Sequence, residues 1–201
     1  LGVGMSVSNL AESQNKLNNK VGVISVFPSY KSVSDKIYWD SIGDQSLISV
    51  LFKSPLQKIV RNFGLPDILN IHDIYNIKQI LFSLHFFFRG VKIYVSPRGS
   101  FSEGALKRSR IKKKFFIFFY RFYALFIHSF VALNEGEKKS IRKIFKNKKI
   151  VVIGNGINFS SRRTDDLNNL FIKKNNNKTI NIGFLGRFDI FIKGLDLLLQ
   201  A

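Results

Sequence analysis

Short unbroken apolar runs alternate along this chain with longer stretches in which apolar residues recur every three or four positions. The runs fall at 21–27 ("VGVISVF"), 68–72 ("ILNIH"), 91–96, 129–133, 150–153 and 180–185. Runs without polar alternation are what a strand needs when both its faces are covered, as in a parallel sheet. The helical period is read at 56–63, 74–89, 107–127 and 135–145. Gly64 with Pro66 closes the first of these helices and Gly90 the second, while Pro97 cuts the strand at 91–96. No internal repeat is present. Strands alternating with helices predict an α/β fold: a Rossmann-like parallel sheet with helices on both faces, with ligands at the C-terminal ends of the strands.

The alternation breaks between 158 and 178, where the chain turns polar and rich in Asn and Lys. We therefore expect one α/β domain over 1–157, a linker or surface excursion over 158–178, and the opening strand, loop and helix of a second, truncated Rossmann-like domain over 179–201. The N-terminal residues "LGVGMSVSNLAESQ" have no basic stretch leading into an apolar one, so they do not read as a signal peptide. The reading is of a chain truncated at both ends, with its first strand ahead of Leu1, and inactive by itself.

Composition narrows the class. Hydrophobic residues make up 45% and charged residues 22%, with 21 Phe, which supports a packed core and excludes a disordered chain. Cysteine is absent, so neither a disulfide framework nor a thiolate metal site is possible. His72, His85 and His128 are far apart in sequence, and no metal cofactor is expected. The net charge of +19, concentrated between Lys107 and Lys149, calls for a polyanionic partner: nucleic acid, an anionic membrane, or phosphorylated substrates.

Several stretches carry candidate chemistry. In "GVGMSVSNLA", Gly2 and Gly4 stand ahead of a helical pattern, where backbone N–H groups can approach a phosphate or sugar; the same glycines also suit a plain turn. His72 ends a predicted strand, as a site residue or as a hydrogen-bonded structural one, and Asp73 reads as the N-cap of the next helix. His85 reads as structural and His128 as a helix-end cation. In "SPRGSFSEGALKRSRIKKKFF", Arg98, Gly99 and Ser100 form a loop in which Arg98 is suited to clamp an anion. The run "FFIFFYRFYALFI" is too short to span a bilayer; it reads as a buried helix, or as one that dips into a membrane surface beside its lysines. Asn134 and Glu137 have capping-box spacing, and Asn155 with Gly156 forms a turn. Arg187 and Lys193 sit across one loop before a helix start and are placed to converge on a diphosphate.

In this order, "GVGMSVSNLA", "DILNIHDIY", "SPRGSFSEGALKRSRIKKKFF", "VALNEGEKKSIRKIF", "VVIGNGIN" and "GFLGRFDIFIKGLDLLLQA" resemble glycosyltransferase family 4, the GT-B group of retaining, sugar-nucleotide-dependent transferases. The resemblance implies an acceptor-holding N-terminal domain and a donor-holding C-terminal one. It implies that Arg187 and Lys193 bind the donor diphosphate, that Gly2 and Gly4 approach the donor from across the cleft, that His72 lies near the reacting sugar, and that Arg98, Gly99 and Ser100 line the acceptor side. A nucleotide sugar is then a substrate, and no cofactor is required. The chain departs from the pattern in lacking the first-loop Gly-Gly pair, in having Arg98 and Asn70 where many members have His, and in containing no paired-glutamate motif.

The expected function is transfer of a sugar to a lipid-linked or cell-surface polysaccharide acceptor by a cytoplasmic protein peripheral to the inner membrane face. The basic, aromatic character of the chain suits an anionic membrane. Two alternatives are a nucleic-acid-binding protein, disfavoured because the aromatics fall in apolar runs and not among the cations, and a non-catalytic membrane-surface module.

Overall fold

The computed structural model of the chain describes residues 2–26, 37–42, 46, 50, 54–107, 110–156 and 195–200. Contacts divide the chain into two compact units, Leu1–Gly156 and Ile157–Ala201. In the first unit the described elements run α1 (Gly2–Lys16), β1 (Gly22–Ser25), β2 (Tyr38–Ser41), α2 (Ser54–Phe63), β3 (Ile68–His72), α3 (Ile77–Phe87), β4 (Lys92–Ser96), α4 (Glu103–Lys107), α5 (Arg110–Tyr123), a 3-10 turn (Ala124–Phe126), β5 (Ile127–Ala132), α6 (Glu135–Ile144) and β6 (Ile150–Val152). The second unit contributes one described helix, α7 (Leu195–Gln200).

Among the described residues all strand pairing is parallel. β1 pairs with β2, and β3-β4-β5-β6 form a four-stranded sheet in sequence order. Each neighbour in that sheet is the next strand along the chain, reached through a helix, as parallel pairing demands. The fold is therefore α/β, with parallel sheets flanked by helices. The central strands are the most deeply buried: Ile93 and Val95 of β4 and Phe130 of β5 are fully buried. One core continues from Ile42, Leu56 and Ile59 through these strands to Ile141 and Phe145. Aromatic rings dominate its far end, where Phe145 stacks on Phe130 at 4.9 Å and Phe101 meets Phe145 edge-on at 5.3 Å.

Several sequence expectations change. β2 was not anticipated: "YWDS" is short and polar at Asp40, and its pairing with β1 fixes it where its own pattern is weak. Of the helix expected at 107–127, α5 covers Arg110–Tyr123, a 3-10 turn follows, and the chain is already a strand at Ile127. His128 therefore lies within β5, exposed against Tyr94 at 5.2 Å, and not at a helix end. The helix expected from 74 begins at Ile77, with Asn76 as its cap: the Asn76 side chain accepts the Lys78 N–H. Asp73 is left in the connecting turn at φ 73°. α1 starts at Gly2 itself, so Gly2 and Gly4 occupy its first turn and not a loop ahead of it. His85 is structural as expected, its Nε2 hydrogen-bonded to the Val50 carbonyl at 2.7 Å. The strand expected at 180–185 lies outside the described residues.

Candidate functional site

The C-terminal ends of β3, β4, β5 and β6 lie side by side, and their polar residues form one hydrogen-bonded network. His72 ends β3. Ser96 ends β4 and leads into the loop at 97–102. Leu133 and Asn134 follow β5, and Asn155 follows β6. Arg98 spans this edge. Its Nε and Nη2 donate to His72 Nδ1 at 3.3 and 3.2 Å, and its Nη1 donates to Asn155 Oδ1. A guanidinium has no acceptor, so His72 Nδ1 must be the bare nitrogen and the ring proton sits on Nε2.

This loop has an unusual backbone. Arg98 and Gly99 both take positive φ, 55° and 84°. A left-handed pair with a bulky first member persists only when its surroundings hold it. Two anchors do so. Phe101 is buried in the aromatic end of the core. Glu137, buried in the first turn of α6, accepts the Gly99 N–H on Oε1 at 2.6 Å and the Leu133 N–H on Oε2 at 2.7 Å. The capping-box expectation is thus half met. Asn134 caps α6, accepting the Glu137 N–H at 2.8 Å, but the Glu137 side chain reaches Leu133 and the Arg98–Gly99 turn and not back to Asn134.

A second set of bonds fastens the β3 side. Asp73 Oδ1 accepts the Ser100 hydroxyl at 3.0 Å and the Ile74 N–H at 2.7 Å. The Tyr75 hydroxyl donates to the Ser100 carbonyl at 3.0 Å, and the Ser96 hydroxyl donates to Asn70 Oδ1 at 3.0 Å. Gln79 of α3 donates to the His72 carbonyl at 3.2 Å.

Burial, and then the adjacent Arg98 charge, push the His72 imidazole down to about 4. Burial also lowers Arg98, against the opposing pull of Glu137, and an arginine so placed stays protonated at neutral pH. The edge therefore presents a fixed cation beside a neutral imidazole whose Nε2–H is a donor. Such a pair can hold an anionic or hydroxyl-rich ligand without itself exchanging protons.

Sequence reading found His72, Arg98, Gly99 and Ser100, and the structure brings the four together. It missed Glu137 and Asn155 as members, because each has a sufficient local explanation as a cap or a turn. The signal that could have found Glu137 is Arg98-Gly99 itself, a pair that needs a distant acceptor to hold it. Arg187 and Lys193 lie outside the described residues, and Gly2 and Gly4 lie in α1. Two open surface depressions, one by the end of α1 around Asn15 and Lys20 and one around Asp67 and Lys92, lie at the N-terminal edge of the strands. That edge is opposite to the one at which parallel α/β sheets bind ligands. Among the described residues, no group of three or more His, Cys, Asp or Glu converges to hold a metal ion.

The family model described as Glycosyltransferase Family 4 matches residues 2–161. The chain belongs to glycosyltransferase family 4. The match covers the whole described sheet and every member of the His72–Arg98–Glu137–Asn155 network. No curated protein matches this family 4 chain. Membership supports a glycosyltransferase-type function acting on sugar donor and acceptor substrates.

Proposed function

We propose that this family 4 chain transfers a sugar, with retention, from a nucleotide-sugar donor to a lipid-linked or cell-surface polysaccharide acceptor at the inner face of the cell membrane. The observation that carries the proposal is the Arg98–His72 pair held at the C-terminal strand edge by Glu137 and Asn155.

Arg98, Gly99 and Ser100 form the acceptor side. Arg98 offers a fixed positive charge to an acceptor phosphate, and Ser100 offers a hydroxyl to its sugar. His72, neutral, donates from Nε2 to the transferred sugar, stiffened from behind by the guanidinium on Nδ1. Arg187 and Lys193 hold the donor diphosphate and stabilise the charge that grows on it as the glycosidic bond breaks, with Gly2 and Gly4 on the donor side as well. Cations fixed at a departing diphosphate act most strongly in the transition state. The nucleotide sugar is a substrate, and the scheme needs neither a metal nor a cofactor.

The test uses the full-length gene product, a panel of radiolabelled nucleotide sugars and a lipid extract. The expected result is label in the lipid phase from one donor. Loss of roughly a hundredfold or more in kcat is expected for His72→Ala, Arg98→Ala and Lys193→Ala. No transfer from any donor, or unchanged turnover in all three variants, overturns the proposal.

A further inference from the structure

We propose that the outer face of α5 is a docking surface for an anionic lipid bilayer. α5 is apolar on two opposite faces. Its inner face, with Tyr120 and Tyr123 buried and Phe116 and Ile117 packed beside them, belongs to the core. Its outer face carries Ile111, Phe115, Phe118, Phe119 and Phe122, each more than half exposed. These positions follow the three- and four-residue spacing of a single helical stripe. Among the described residues their ring contacts are with one another: Phe115 meets Phe119 at 4.8 Å, and Phe118 meets Phe122 at 5.6 Å. Leu125, also exposed, extends the apolar surface past the end of the helix.

Charge decides the occupant. At about 100° per residue, exposed Lys112 falls on one flank of the stripe, with Lys114 and Arg121 on the other. An aromatic stripe between two rows of cations fits the boundary between acyl chains and anionic headgroups. A second copy of this chain fits worse, because a self-complementary contact would bring these cationic flanks of a +19 chain towards each other. No described helix is long and apolar enough to cross a membrane, so the contact is one of lying on the surface.

The same helix touches the candidate site. Phe116 packs on Tyr75 at 5.1 Å, and the Tyr75 hydroxyl bonds the Ser100 carbonyl. Docking through α5 would therefore bring the Arg98–Ser100 loop close to the headgroups. That use of the surface rests on the lipid-linked acceptor proposed above, whereas the surface itself does not.

The experiment is co-sedimentation of the full chain with vesicles of phosphatidylglycerol and phosphatidylcholine in equal parts, against vesicles of phosphatidylcholine alone. Binding to the mixed vesicles only is expected. It should fall by roughly tenfold or more both in a Phe115→Ser, Phe118→Ser, Phe119→Ser, Phe122→Ser variant and in a Lys112→Glu, Lys114→Glu, Arg121→Glu variant. All seven side chains point to solvent, so both variants should keep the parent circular dichroism spectrum; if one does not fold, the other still decides. Absence of binding, or binding that survives both sets of changes, overturns the proposal. So does a dimer in sedimentation that only the serine variant dissociates, which would assign the stripe to a second copy. Vesicle binding needs no donor sugar. Binding without transfer would thus count against the transferase reading alone, and transfer without binding against this surface alone.

Discussion

His72 and its neighbours make the site's electrostatics testable one residue at a time. Its imidazole titrates at about 4 in the fold, against an ordinary value of 6.5. On lowering the pH the unfolded chain takes up this proton first, so the folded state keeps its full stability above about 6.5 and loses it as the pH falls towards 4. The loss amounts to about 3 kcal/mol from this residue. Urea midpoints measured across that window should fall more steeply for the parent than for His72→Gln; parallel curves would mean that His72 is not held neutral. Glu137 and Gly99 separate two kinds of cost at the same turn. Glu137→Ala leaves two inward N–H groups without an acceptor, at about 1–3 kcal/mol each. Gly99→Ala adds a methyl that meets nothing within 4 Å, so only backbone strain at φ 84° is felt. That strain costs about 1–2 kcal/mol. Equilibrium unfolding should therefore rank Glu137→Ala as the more damaging. The opposite order would mean that the turn is held by its own geometry and not by the carboxylate.

At the scale of elements, α5 and α6 show what sequence pattern carries and what it does not. α6 was legible because its signals are local: Asn134 caps it, and apolar Ile141 and Ile144 fall on one side. Asn134→Ala should cost about 1 kcal/mol by thermal unfolding, as loss of an N-cap does. α5 was legible as a helix but not in its boundaries. With Phe on both faces, the apolar period gives no edge, and "FYALFI" continues the pattern into what becomes a 3-10 turn and then β5. The parallel pairing of Ile127 with Ile93 decides that boundary, and it is a tertiary fact. The two faces of α5 should also respond differently to change. Tyr120→Ala, in the core, should cost about 3–5 kcal/mol. Phe118→Ser, on the outer face, should stay within about 0.5 kcal/mol of the parent. Similar losses at both positions would place the outer face under cover.

For the whole molecule, the strand and helix alternation was enough to give the α/β class, because a parallel sheet requires both unbroken apolar runs and crossover helices. The candidate site was legible only where one residue type declared itself, at His72 and Arg98-Gly99-Ser100. Glu137 joins it from 38 positions further on, a link no local spacing encodes. Charge is the property sequence gives most directly, and it leads to a prediction for the entire chain. Asp and Glu number 13 against 32 Lys and Arg, so with one-to-one pairing more than half of the cations lack a carboxylate partner. Two of the ion pairs seen among the described residues, Lys138–Glu135 and Lys143–Glu103, are exposed and contribute little, whereas Lys58–Asp40 has a largely buried carboxylate. Repulsion among the remaining cations opposes the compact state. Adding salt shortens the range of that repulsion, from about 30 Å at 0.01 M to about 8 Å at 0.15 M. The thermal midpoint should therefore rise with sodium chloride, by roughly 2–4 °C for each kcal/mol of repulsion relieved. A chain held together by its surface ion pairs would behave in the opposite way, with a midpoint that falls as salt is added. Scanning calorimetry over that range distinguishes the two by sign alone.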